Sequence, residues 1–221
     1  MKSHIRIILS YGCLVLAFIL GTPDFSKTLS LIGGSYWGEA GRLEFRMNIR
    51  WILIEFSLID LLDICIGSRA SSFTLIRYRS IAKAFIQQLK TTFRRLGVWI
   101  VILLILAFPQ SYDDCVGMLV YLTHVLHMMS WVFLLYTFIN SESVVWLIQT
   151  LVCTAAMMIG WIAPYTPLSC FLSWGMVFRS SVIDNQMGYP SIIAVVGQCC
   201  LLVTFMIISK RFYWMRVDRG E

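Results

Sequence analysis

Apolar residues fall in long blocks separated by short polar connections. Six runs stand out, at 5–21, 51–66, 96–108, 115–139, 144–163 and 191–209. Each reaches or approaches the ~20 residues that a helix needs to cross a bilayer. The second and third runs are short for a crossing and borrow flanking residues; the third begins within the amphipathic stretch before it. A seventh apolar piece, 167–178, is bounded by Pro164, Pro167 and Arg179 and contains Trp174 and Gly175. At about twelve residues it predicts a re-entrant or interfacial segment rather than a span. Between the second and third runs, apolar residues recur at Leu75, Ile76, Ile81, Phe85, Ile86 and Leu89, with Lys83, Gln87 and Lys90 elsewhere on the circumference. That spacing predicts an amphipathic helix lying at a membrane surface. The expected fold is therefore all-α. It is a polytopic membrane helix bundle of about six transmembrane helices, one amphipathic cytoplasmic helix and a short re-entrant segment, in a single domain over 1–221. No internal repeat or low-complexity tract interrupts it.

Composition agrees with the blocks. Of 221 residues, 58% are hydrophobic and only 14% charged, against roughly 25% charged in a soluble domain. The mean hydropathy is +0.76. A larger soluble core does not explain that value, because the apolar surplus is segmented at bilayer length rather than spread by amphipathic period.

The net charge of +6 matters through its placement. Arg69, Arg77, Arg79, Lys83, Lys90, Arg94 and Arg95 share the connection after the second run with no acid, and Lys210, Arg211, Arg216 and Arg219 follow the last. With six spans these fall on one side, together with Lys2 and Arg6. The other side receives the mixed 22–50 loop, the acidic Tyr112-Asp113-Asp114 turn and 164–190. The positive-inside rule then puts both termini in the cytoplasm of a multi-pass cell-membrane protein, and it explains the basic residues better than nucleic acid does. Five or seven spans would put the basic tail on the wrong face. The exit from the first run, Leu20-Gly21-Thr22-Pro23-Asp24, has no small-x-small cleavage site, so the first span is expected to stay uncleaved. Seven cysteines, most inside apolar runs and none in a Cys-x-x-Cys pair, read as apolar thiols rather than a disulfide framework.

Polar residues inside the runs are the candidate chemistry. Glu55, Asp60 and Asp63 interrupt the second run. A carboxylate near a bilayer centre costs about 2.5–3.5 kcal/mol on insertion scales, so such groups face protein or water. Asp60 and Asp63 are three apart and share a helical face, whereas Glu55 sits off it. Pairing with Arg69 or Arg77 is one expectation, with Arg50 also within reach; a proton or cation path is the other. His124 and His127, three apart in the fourth run, suit polar contacts between helices, or a metal site if carboxylates from another helix join them. They do not form His-Glu-x-x-His. The Gly33-Gly34-Ser35-Tyr36-Trp37-Gly38-Glu39-Ala40-Gly41 cluster lacks a phosphate-loop ending and reads as a turn. Tyr36, Trp37, Trp51, Tyr112, Trp161, Tyr165, Trp174, Tyr189, Tyr213 and Trp214 stand at run ends as interfacial anchors.

Taken together, the chain resembles the permease subunits of ABC type-2 exporters, most of all the small six-span permeases that accompany lantibiotic-immunity and peptide-export ATPases. The resemblance rests on a very short N-terminus before the first span and on Ile32-Gly33-Gly34 in a long first outer loop. It rests also on Ser72-Phe73-Thr74-Leu75-Ile76-Arg77-Tyr78-Arg79-Ser80 opening the basic loop. Further along, it draws on Trp174-Gly175-Met176-Val177-Phe178-Arg179-Ser180-Ser181 before the last span, and on Lys210-Arg211-Phe212 closing it. The resemblance implies that the loop between the second and third spans contacts the ATPase, which makes Arg77, Tyr78, Arg79, Ser80 and Lys83 coupling residues. It implies a segment around Trp174, Gly175 and Arg179 that dips into the membrane. It implies no cofactor in this chain, ATP being held by a partner ABC ATPase subunit. A second permease subunit, identical or related, and the lipid bilayer complete the partners. The expected cargo is a peptide or an amphipathic, lipid-like compound. Two other classes stay open: a metal-dependent intramembrane enzyme built on His124, His127 and the second-run acids, and a non-transporting immunity or scaffold protein.

Overall fold

In a computed structural model, the described residues are 2–20, 45–67, 80–139, 141–162 and 191–218. All the secondary structure among them is helical: α1 (Lys2–Ile19), α2 (Phe45–Gly67), α3 (Ile81–Leu106), α4 (Tyr112–Phe138), α5 (Glu142–Ile162) and α6 (Ser191–Asp218).

Local chemistry sets several of the ends. Ser111 opens α4 with a capping box: its hydroxyl accepts from the Asp114 N–H at 3.1 Å, and the Asp114 carboxylate accepts from the Ser111 N–H at 3.1 Å. The same carboxylate accepts from the Gln110 N–H at 3.0 Å. Two backbone amides of the 110–114 corner thus converge on the Asp114 side chain, which satisfies donors that a helix start leaves open. The expected Tyr112-Asp113-Asp114 turn is in fact the first turn of α4. Upstream, α3 ends as Ala107 donates its N–H to the Leu103 carbonyl at 2.8 Å, two residues before Pro109, which cannot continue a helix.

The third apolar run begins within the amphipathic stretch, as the spacing predicts: from residue 81 onward the two form the single 26-residue helix α3, so the amphipathic helix is not counted apart from it. Its first half carries Lys83, Lys90, Arg94 and Arg95, and its second half is Leu96–Leu106 with no charge. Nothing in the sequence breaks the helix between the halves, and Gly97 has open space around it. The part of the predicted amphipathic stretch before Ser80 lies outside the described residues, as do Arg77, Tyr78, Arg79 and the predicted re-entrant segment with Trp174, Gly175 and Arg179.

Side-chain contacts fix the helix directions. Against α2, α1 places Arg6 beside Asp60 and Asp63, Ser10 beside Ser57, and Ala17 beside Arg50, so the two are antiparallel. In the same sense, α3 sets Gln88 against Ile66 and Trp99 against Ser57. Helix α4 meets Glu55 with Tyr121 and Asp63 with Tyr136, running parallel to α2. Helix α5 starts next to the end of α4 and reaches the level of Glu55 at Cys153. Helix α6 follows α4 in parallel, with Phe205 at Trp131 and Phe212 at Phe138. The chain thus goes up and down in strict alternation. Arg6, Lys83, Lys90, Lys210 and Arg211 gather at one end, and the Asp113-Asp114 corner sits at the other.

Helix α2 is the hub and packs against α1, α3, α4 and α5. Ile54, Leu58, Ile59, Leu61, Leu62 and Ile66 on it are all essentially buried. At the rim, α6 packs chiefly on α4 and leaves Ile192, Ile193, Val196, Val203 and Ile207 more than half exposed. By length and composition, Asp114–Phe138 and Ile192–Trp214 are able to cross a bilayer, while Ile5–Ile19 and Glu142–Ala156 are shorter apolar stretches.

Candidate functional site

The hub helix carries two polar sites, one on each side of Ser57. The first is at the basic end. The Arg6 guanidinium donates to Asp60 through Nε at 2.9 Å and through Nη2 at 2.5 Å, and Nη2 also reaches Asp63 at 2.8 Å. The Tyr136 hydroxyl donates to the other Asp63 oxygen. One guanidinium therefore holds two carboxylates that lie one helical turn apart, with a phenol completing the shell of the more buried one. Gly67 makes the phenol's approach possible: a Cβ there would lie 2.7 Å from the Tyr136 hydroxyl. Further contacts thicken this layer. Gln88 donates to the Ile66 carbonyl at 2.9 Å and accepts from Tyr213 at 2.5 Å, and Arg95 reaches the Cys65 sulfur at 3.8 Å.

Between the sites, Ser57 accepts from the Trp99 indole at 2.7 Å, and its carbonyl accepts from Ser10 at 2.6 Å. These contacts tie α1, α2 and α3 at one level and satisfy polar atoms in a region that water does not reach.

The second site surrounds Glu55, whose side chain is 2% exposed. Tyr121 donates to its Oε1 at 3.3 Å, His124 Nε2 lies 3.3 Å from Oε2, and the Cys153 thiol is 3.9 Å from the same oxygen. Trp51 flanks the group, with its ring 6.0 Å from both the Tyr121 and the His124 rings. No arginine or lysine contacts Glu55 among the described residues. A cavity of about 60 Å³ opens beside it, lined by Trp51, Ile52, Glu55, Phe56, Ile59, Thr150, Cys153 and Thr154.

The residues expected from the sequence separate cleanly. Asp60 and Asp63 share a face and a partner, and Glu55 stands off it in a different environment. The partner is Arg6, not Arg50, and Arg69 and Arg77 lie outside the described residues. Arg50 is buried instead at the other end, with Nε donating to the Ala17 carbonyl at 2.8 Å. His124 and His127 do not converge: His127 turns to α6 and stacks on Phe205 at 5.7 Å. Three residues on from His124 is a rotation of about 60° about the helix axis, and α4 is packed on both flanks. No group of three His, Cys, Asp or Glu residues among the described ones is placed to hold a metal ion. Of the coupling candidates, Ser80 sits at the N-cap of α3 and Lys83 is exposed in its first turn.

Tyr121, Cys153 and Trp51 are site residues that sequence reasoning missed. Trp51 was expected as an interfacial anchor, and so was Tyr213, yet both are buried and engaged in packing. The usable signal was spacing: Trp51 and Glu55 are four apart, as are Trp51's neighbours on the same face of α2. No family model, curated protein or solved structure matches this chain.

Proposed function

We propose that the chain is the membrane-embedded permease subunit of an ATP-driven transporter, with all six helices crossing the bilayer and both termini in the cytoplasm. The observation that carries this reading is an inverted distribution of polarity. Glu55, Asp63, Arg50 and Ser57 are buried on the central helix, while the outer faces of α1 and α6 present Ile8, Ile19, Ile192 and Ile207 at 62–71% exposure. A protein in water arranges these groups the other way round; a bundle in lipid keeps polar groups inside, where they mark a binding site or pathway.

The alternating helix directions support an even number of crossings. The basic end, by the positive-inside rule, is the cytoplasmic one. In α3, Leu96–Leu106 is too short to span alone, so the crossing draws on the turns before it, and Arg94 and Arg95 mark the headgroup level by snorkelling. The likeness to type-2 exporter permeases supplies the motor: a separate ATPase chain whose closure moves the basic end, through the loop ending at Ser80 and the exposed Lys83. The cargo, on this reading, is a peptide or an amphipathic compound that meets the polar residues of α2.

Two measurements test the reading. Single cysteines introduced at Lys90 and at Tyr112, in a background lacking the native thiols, should be labelled by an impermeant maleimide from the cytoplasmic and the outer face respectively. Labelling of both from one face removes the six-span topology. An ATP-hydrolysing chain should co-purify with the tagged protein, and the glutamate replacement of Lys83 should weaken that association. Retention of full coupled ATPase activity in that variant removes Lys83 from the docking surface.

A further inference from the structure

We infer that the cavity beside Glu55 binds a primary ammonium group carried on an alkyl stem. The inference deepens the permease reading, on which it rests only for the idea that the bound molecule is cargo.

Acceptors dominate the polar lining of the cavity, since the Cys153 thiol is already directed at Glu55. Thr150 donates its hydroxyl proton to the Trp146 carbonyl at 3.0 Å, and Thr154 donates to the Thr150 carbonyl at 2.9 Å. Both hydroxyl oxygens are left with lone pairs and no spare proton, so toward a ligand they are acceptors. Glu55 adds carboxylate oxygens. Each can take more than one hydrogen bond, and Tyr121 and His124 use only part of that capacity. Trp51 and Phe56 contribute aromatic surface, Phe56 being tilted against Trp146 at 5.7 Å, and ring faces attract cations. Ile52 and Ile59 supply an aliphatic wall. No basic side chain lines the cavity.

That combination selects among ligand chemistries. An anion would meet Glu55 with only the His124 imidazole, 3.3 Å from its Oε2, to offset it. A neutral apolar group would bury the carboxylate against hydrocarbon. A metal ion would need further donors that do not converge there. A quaternary ammonium satisfies the rings but gives no N–H to the threonine oxygens. A primary ammonium brings three donors and a charge, which matches Glu55 and the threonines together, while its stem lies along the isoleucines. The Trp51 indole N–H is buried without a partner, an unmet donor beside the cavity for an oxygen carried near the amine.

Two sources share this chemistry: the ethanolamine headgroup of a lipid, and the amine of a peptide or other soluble amphiphile. The experiment uses the purified full chain in phosphatidylcholine nanodiscs, without any ATPase, and measures binding of dansylcadaverine by fluorescence anisotropy against empty discs. Saturable binding is expected, weakened about tenfold or more by Glu55→Gln and equally by Thr154→Leu, which fills the cavity from its open rim without touching the carboxylate. Capping the amine by acetylation should abolish binding. Competition by phosphatidylethanolamine added to the discs assigns the site to a lipid headgroup; lack of competition assigns it to a soluble amine. Binding unchanged in both variants, or equal for the acetylated or trimethylated probe, or absent from the wild-type protein, overturns the site. Because no transport or ATP hydrolysis is read, loss of the permease reading would leave this result standing, and the converse also holds.

Discussion

The two carboxylate sites on α2 lie only about two helical turns apart, yet their surroundings differ in kind. Asp60 and Asp63 are met by a full positive charge, Arg6, with Tyr136 closing the remaining side. Glu55 is met by a phenol, an imidazole and a thiol, with a cavity at its flank. The first arrangement offsets two acids, one buried and one partly exposed, with a single guanidinium at the cost of mobility, since the group must hold one geometry to stay compensated. The second satisfies hydrogen bonds without an arginine or lysine and keeps acceptor capacity beside the cavity. On the inference above, that spare capacity serves a ligand rather than the fold. The contrast separates a fastening from a receptor on a single helix.

The comparison can be broken by substitution. Arg6→Ala leaves two carboxylates side by side, one of them almost fully buried. Removing one partner of a buried pair costs roughly 3–5 kcal/mol, and the partial exposure of Arg6 reduces this to about 2–3 kcal/mol. The drop should appear as a lower midpoint of thermal unfolding in detergent micelles. Ser57→Ala comes next. It strands the Trp99 indole, which is fully buried, and should cost about 1–2 kcal/mol in the same assay; a smaller loss means that water or a neighbour replaces the hydroxyl. Gly67→Ala forces the Tyr136 ring back from Asp63 and should cost about 1 kcal/mol. That loss should shrink in a Tyr136→Phe background, where the hydroxyl contact is gone and only the ring edge, 3.0 Å from the added Cβ, must shift. The smallest effect belongs to Glu55→Gln, expected to change stability by less than about 1 kcal/mol, because the amide retains an acceptor for Tyr121 and a polar contact for His124. If Glu55→Gln proves as damaging as Arg6→Ala, both sites are fastenings and the distinction between them disappears.

Much of the frame was readable from the chain alone. The apolar runs place every helix, and the spacing of Asp60, Asp63 and Glu55 foretells that the last would face elsewhere. What the chain alone does not reveal is the Arg6 pairing. Arg6 reads as a topology signal ahead of the first run, and its partners are 54 and 57 residues away; no local pattern encodes a contact of that range. The histidines divide for a related reason: His124 makes a polar contact to another helix at Glu55 while His127 turns to α6, because a shared face on an isolated helix becomes two faces once neighbours pack on both flanks. The surface helix is continuous with the third run, as the overlap of the two patterns implies. Hydropathy changes abruptly at Leu96, but helix propagation responds to the backbone, and no proline or cap stands there to stop it.

The antiparallel seam between α1 and α2 has a consequence for how such a chain is made. During synthesis the first helix emerges well before the acids of the second, and neither Asp60 nor Asp63 is welcome in hydrocarbon alone. On the membrane reading, Arg6 is therefore already in place when they arrive, and α1 and α2 enter lipid as one unit. Without α1, the two acids would enter hydrocarbon with no cation facing them, and the hub around which the later helices pack would lose its first support.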